Sequence, residues 1–308
     1  KRKVEAVKGV NMRVDAGEIF GFLGPNGAGK TTTLRMLATL LTPDGGSASV
    51  VGFDLRRSPG KVRERIGYVS QSGGAERPVT ARENLVLQAQ FYGMSRSAAK
   101  TRAAEMLRAL DLESYGDRKV STYSGGQRRR LDIALGMVHR PTLLFLDEPT
   151  TGLDPQSRAH MWDEVRRVRE EGTTIFITTH YLDEADALCD RLAIMDGGLL
   201  VAEGTPTELK RQIAGDAITV GLRGEVVSQG ERLLREQPYV RELSATEPDA
   251  PGAEGIIRLY VDHGEQALPQ VLRTLDGAGV TATSISLARP SLDDVFLRQT
   301  GRSLRDGK

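Results

Sequence analysis

At 308 residues and 39% hydrophobic, the chain can bury a full core and has room for one large domain and one small one. Its 42 Lys and Arg balance 41 Asp and Glu to a net charge of +1, so no global field draws it to nucleic acid or to an acidic surface. A single cysteine, Cys189, excludes an intramolecular disulfide and a Cys-based zinc cluster, fits a reducing compartment, and reads as a small buried hydrophobe.

No segment approaches the roughly 18 consecutive apolar residues that a spanning helix needs. Val4 to Val14 reads as strand and turn, so the sequence is expected to begin inside a domain. Gly17 to Leu23 is an apolar run that ends in a glycine-rich loop, and Thr31 to Leu37 has helical spacing. Arg82 to Val138 is helical in pattern and reads as an insertion. Buried strands are expected at Thr142 to Asp147 and, β-branched, at Thr173 to Thr179. Short apolar strands alternating with helices predict an α/β core with a parallel sheet. Beyond Gly215 the pattern becomes βαββαβ: strands at Ala217–Val220, Tyr239–Ala245, Gly255–Val261 and Val280–Leu287, and helices near Glu225–Glu236 and Glu265–Ala278. That order predicts a small α+β, ferredoxin-like domain. The expected division is therefore 1–215, with a helical subdomain at about 82–138, and 216–308.

Gly24-Pro25-Asn26-Gly27-Ala28-Gly29-Lys30-Thr31 matches the phosphate-binding loop G-x-x-x-x-G-K-[ST], in the required place between a strand and a helix. Gly27 and Gly29 let backbone N–H groups turn inward, and the helix N-terminus that runs on through Thr32 adds its dipole, giving an anion cradle. Lys30 is expected to reach the β- and γ-phosphates of ATP, and Thr31 to offer a hydroxyl to Mg²⁺. A second oxygen ligand is expected at the end of a neighbouring strand, where Asp147 stands; Glu148 follows and can face an attacking water.

Ser124-Gly125-Gly126-Gln127 opens a further helix and offers a second anion-binding N-terminus that cannot serve the same phosphates. With these motifs in this order, residues 4 to 212 resemble the ATP-binding-cassette family. The resemblance implies ATP hydrolysis and a homodimer, with Ser124 to Gln127 facing the γ-phosphate held by the opposite subunit. It implies that Gln71 touches Mg²⁺ and faces the membrane partner, that Asp154 contacts the dimer mate, and that His180 contacts the γ-phosphate. Glu148 would then be the general base or water-positioning carboxylate. The family usually carries an aromatic residue for adenine stacking shortly before the first core strand. None precedes Phe20, so that residue is expected upstream of Lys1. Tyr123 stands where the family more often has leucine.

Arg289 to Leu297, together with Tyr123 to Asp132, resembles the ATPase subunits of daunorubicin/doxorubicin-type resistance exporters. The expected partners are a separate transmembrane permease and a second copy of the chain, with no nucleic acid. The expected place is the cytoplasmic face of the cell membrane, and the expected cargo a drug, antibiotic or other hydrophobic compound. An importer motor is the nearer alternative. A soluble cassette protein acting on ribosomes or DNA is the further one, since such relatives typically carry two cassettes or a long coiled-coil insertion. His139, His160 and His263 lack metal-ligand spacing and read as surface or capping residues. Trp162 reads as packing, and Arg128-Arg129-Arg130 as a solvated helix face.

Overall fold

The computed structural model describes residues 5–212, 215–246, 254–288 and 290–301. They fall into two compact units that meet in sequence at Pro206–Thr207.

The first unit runs β1 (Ile19–Leu23), α1 (Lys30–Leu37), a short hairpin β2 (Ser49–Val50) and β3 (Phe53–Asp54), α2 (Pro59–Arg63) and β4 (Ile66–Val69). Three helices follow, α3 (Ala81–Phe91), α4 (Arg96–Ala109) and α5 (Gly125–Met137), and they account for most of the expected helical insertion. Then come β5 (Leu143–Asp147), α6 (Pro155–Glu170), β6 (Thr174–Thr179), α7 (Leu182–Leu188), β7 (Arg191–Asp196) and β8 (Leu199–Gly204). The six strands form one sheet in the order β4-β5-β6-β1-β7-β8, parallel except for the β7–β8 pair at the edge. Every residue of β1 and β6 is buried, as expected of strands covered on both faces. Phe20, Phe22, Phe145 and Phe176 from three adjacent strands cluster at its centre, with Phe22 and Phe176 ring centroids 4.9 Å apart. Cys189 is buried, its Sγ packed against Gly21.

The segment from Glu5 to Asp15 departs from expectation. It holds a single bridge, Gly9 to Leu199, fixed by Lys8 N donating to Gly198 O at 2.8 Å, and no strand. Its alternating valines pack against the core as partly buried side chains without ladder pairing.

The second unit starts with α8 (Pro206–Arg211), continues through β9 (Asp216–Arg223), α9 (Val227–Arg235), β10 (Val240–Thr246), β11 (Glu254–Val261), α10 (Gly264–Gly277) and β12 (Ala282–Ala288), and ends in α11 (Leu292–Thr300). The sheet order is β10-β11-β9-β12, antiparallel throughout. This is the expected ferredoxin-like arrangement. Ile218, Val220 and Leu222 of β9 and Ile257, Leu259 and Val261 of β11 form the core with α9 and α10. Because strand residues alternate, Arg258 and Tyr260 point to the opposite face. There both bond to Asp294 of α11, at 3.1 and 3.0 Å. The stretch from Thr246 to Gly255, whose Pro, Gly and acidic residues mark it in the sequence as a linker-like loop, lies largely outside the described residues.

Candidate active site

The sheet delivers the site at the carboxyl ends of its parallel strands. β1 ends at Leu23, and the chain curls through Gly24–Thr31 into α1. Gly29 has φ +105°, and a Cβ there would sit 2.5 Å from Ala6 O, so only glycine fits this bend. The loop from Asn26 to Thr32, with Gln71 and Glu148, lines a cleft of about 480 Å³.

Lys30 is 4% exposed, and its Nζ folds back to donate to Gly24 O (2.7 Å) and Pro25 O (3.1 Å). It also lies 3.5 Å from Glu148 Oε1. Burial pushes the ammonium pKa down, and the neighbouring Glu148 carboxylate opposes that shift. At the end of β5, the buried Asp147 accepts two hydroxyls on one oxygen: Thr31 Oγ1 at 2.9 Å and Thr178 Oγ1 at 2.7 Å.

At Glu148 the chain leaves the strand with φ +45°, a left-handed turn for a non-glycine residue. Its N–H is pinned to Thr178, with the hydroxyl at 3.0 Å and the carbonyl at 3.1 Å. Glu148 Oε2 accepts from Gln71 Nε2 (3.1 Å) and Thr151 Oγ1 (3.2 Å), and His180 Nδ1 lies 3.2 Å away. Burial pushes this carboxyl up, but His180 and Lys30 pull harder and hold it below the usual glutamate range. It is therefore ionised at neutral pH, able to accept a proton, and placed beside a loop built for anions.

Lys30, Thr31, Gln71, Asp147, Glu148 and His180 are thus brought together. Ser124 to Gln127 and Asp154 are not, and they form a second cluster outside the cleft. Ser124 caps α5 in a reciprocal box, its Oγ accepting from Gln127 N (3.2 Å) and its N donating to Gln127 Oε1 (2.9 Å). Asp154 caps α6 by accepting from Ser157 N (2.9 Å) and Ser157 Oγ (2.6 Å). A Cβ on Gly126 would lie 3.2 Å from Ser157 Oγ, so the two helix N-termini pack side by side.

One expectation is corrected. Arg128-Arg129-Arg130 is not a solvated face, because Arg129 is 7% exposed and reaches between β4 and β5, while Arg128 and Arg130 donate to Tyr123 O and Leu110 O. A helix turns by about 100° per residue, so three consecutive arginines cannot share one face. Sequence reasoning also missed Thr178, Thr151 and Glu184. Glu184 is fully buried and takes hydrogen bonds from Thr150 Oγ1 (2.8 Å) and Trp162 Nε1 (3.1 Å), which ties the turn after Glu148 to α6 and α7. The strand TIFITT did flag Thr178 as a polar residue in a buried run. Of the other histidines, His160 is exposed and His263 occupies the N-cap of α10. His139 is half-buried, with Nε2 2.9 Å from Ile66 O and its ring stacked on Tyr92 at 3.7 Å.

Among the described residues no helix is long and apolar enough to cross a membrane. Comparison with known proteins agrees with the geometry. Residues 7–151 match the family model for ABC transporters, and residues 204–300 match that for the C-terminal domain of DrrA1-3-like ATP-binding proteins. The chain is 45% identical to the daunorubicin resistance ATP-binding protein DrrA2 of Streptomyces coeruleorubidus, over 96% of this chain and 90% of that protein. It is 36% identical to the linearmycin resistance ATP-binding protein LnrL of Bacillus subtilis, over 99% and 96% respectively. Among solved structures, a dimeric post-hydrolysis state of an ATP-binding cassette bound to ADP and phosphate is similar with a TM-score of 0.60 and 27% identity, covering 67% of this chain and 94% of that one.

Proposed function

Because the chain belongs to the ATP-binding-cassette family and is an ATP-hydrolysing transporter subunit of the exporter kind, we propose that its cleft hydrolyses ATP in a shared dimer site to drive a separate permease. The observation that carries this reading is the convergence on Glu148: Lys30, Gln71, Thr151 and His180 all reach one carboxylate at the rim of the glycine loop.

In this reading the backbone of Gly24 to Thr31 receives the phosphates, and Lys30 exchanges its carbonyl partners for phosphate oxygens. Glu148, released from Lys30, takes the proton of the attacking water, with Gln71 and His180 fixing where that water and the γ-phosphate lie. Thr178 keeps the catalytic turn from drifting by holding both Asp147 and the Glu148 N–H.

Mg²⁺ fits the side chains present. Thr31 and Asp147 offer hard oxygens in contact with each other, and Gln71 spends its amide nitrogen on Glu148, leaving its oxygen available. Mg²⁺ commonly takes one or two protein carboxylates and completes its shell with phosphate and water, so the single carboxylate of Asp147 beside the Thr31 hydroxyl is a sufficient charged ligand. When bound the ion would neutralise the developing phosphate charge.

Ser124 to Gln127 and Asp154, which stand apart from the cleft of their own chain, are assigned to the cleft of a second copy. The permease is assigned a drug, antibiotic or other hydrophobic compound as cargo, because relatives of this chain carry drug and antibiotic resistance names. The chain would then sit at the cytoplasmic face of the membrane, held through the permease. The test is to co-express the chain with its permease in a drug-sensitive host: tolerance to a hydrophobic antibiotic should rise, and should not rise with Glu148→Gln. Equal tolerance with that variant would overturn the reading.

A further inference from the structure

The helix that begins at Ser124 also grips the loop carrying Gln71 and both flanks of Glu148. Arg129 Nε donates to Pro149 O (2.7 Å), Nη1 to Ser70 O (2.6 Å) and Nη2 to Asp147 O (3.1 Å). The carbonyls of Asp147 and Pro149 bracket Glu148, and that of Ser70 immediately precedes Gln71. One helical turn on, Asp132 Oδ1 accepts from Gly74 N (2.8 Å) and Ala75 N (3.1 Å). The Gln71 loop is therefore tied at both ends to one face of α5, since residues three apart on a helix are neighbours.

Both side chains are nearly buried, at 7% and 8% exposure. The loop is shaped for the grip: Gly73 has φ +79°, and a Cβ there would lie 2.5 Å from Asp132 Oδ2. Ser70 Oγ closes the turn on Gly73 O at 2.9 Å. A planar guanidinium satisfies three carbonyls in fixed relative positions, which a flexible ammonium cannot do.

We infer that Arg129 and Asp132 are positioning residues for ATP hydrolysis, which make the Gln71 loop, the Glu148 turn and the helix of the signature loop move as one body. This rests on the reading of Gln71 and Glu148 as hydrolytic residues. Any displacement of Ser124 to Gln127 along the α5 axis then reaches Gln71 and Glu148 of the same chain directly.

The test uses the full chain with ATP and Mg²⁺. Asp132→Ala should lower kcat by about 10- to 100-fold, the scale of a small misplacement of reacting groups. KM and the affinity for a fluorescent ATP analogue should stay within about twofold, because the glycine loop is untouched. Amide exchange at Gly74 and Ala75 should rise. Asp132→Asn, which keeps an acceptor oxygen, should restore both the protection and most of kcat. Arg129→Lys, which keeps charge but not the three-way fork, should reproduce the kcat loss and serves if Asp132→Ala does not fold. Wild-type kcat in Asp132→Ala with its amides released, or parallel losses in kcat and ATP affinity that Asp132→Asn does not recover, would overturn the inference. Glu148→Gln, run alongside, separates the two levels: if it too hydrolyses ATP normally the underlying reading fails, and if it alone is dead only the positioning role fails.

Discussion

Lys30 Nζ stands 3.5 Å from Glu148 Oε1 with both side chains nearly buried, so the ammonium of the glycine loop and the carboxylate that ends the neighbouring strand form one charge pair at the cleft. Under the proposed function, a polyphosphate would draw the lysine away and free the base in one event, which would tie turnover to occupancy of the cleft.

Glu148→Gln keeps the shape and the hydrogen bonds from Gln71 and Thr151 but removes the base. Hydrolysis should fall by about 10²- to 10⁴-fold while ATP binding persists, and the ATP-loaded dimer should accumulate. Size-exclusion chromatography with ATP, beside a phosphate-release assay, checks both. A wild-type rate would remove Glu148 from the mechanism.

Lys30→Ala should weaken ATP binding by about 10- to 100-fold, the worth of a charge-assisted contact, and abolish hydrolysis at moderate ATP. Titration with a fluorescent nucleotide is decisive. Unchanged affinity with full activity would make the glycine loop structural.

Activity should require two chains. Mixing a Ser124→Arg chain with a Lys30→Ala chain, each inactive alone, creates heterodimers in which one site joins two intact halves. About a quarter of the wild-type rate should return if the sites act independently, since half of the dimers are mixed. Silence from proven heterodimers would mean that the sites are not shared or must fire together.

Asp294 gives a pH-dependent prediction in the second unit. Burial pushes its carboxyl up, but Ser291, Tyr260 and Arg258 outweigh burial and hold it below the usual aspartate range. The folded value is thus lower than the unfolded one, so its stabilisation is full above about pH 3.9 and is lost as pH falls through the folded value. Asp294→Ala should cost about 1 kcal/mol at pH 7 through the lost capping box of α11. The gap in Tm between wild type and variant should close in acid. Tyr260, pushed up to about 12 by burial and by Asp294, should titrate closer to an ordinary tyrosine in the variant, which absorbance near its ionisation band reports.

The sequence was most informative where chemistry and local geometry coincide. The glycine loop needs both its glycines and its place between strand and helix, and Asp147 ends an apolar run that can only be a buried strand. The βαββαβ order of the second unit was equally readable, because α9 and α10 each bury one face and apolar, strand-like runs stand between them. Arg129 was not: a triplet of arginines looks solvated until the packing of α5 shows which one turns inward. Helix α11 was passed over although Ser291 and Asp294 have capping-box spacing, because a single turn of pattern after Pro290 carries little weight. Glu5 to Asp15 alternates like a strand but finds no edge with which to pair beyond Gly9.

The cysteine sealed against Gly21 makes the chain its own stopwatch. Burial pushes the Cys189 thiol pKa up, so almost none of it is the reactive thiolate while the seam between the end of α7 and β1 stays shut. An alkylating reagent added to the folded protein therefore consumes sulfhydryl only as fast as that seam opens. Because there is a single cysteine in the sequence, the decay has one source and can be followed with and without nucleotide. The same silence leaves any cysteine placed on an exposed helix end as the sole target for a cross-linker, without first stripping the native one.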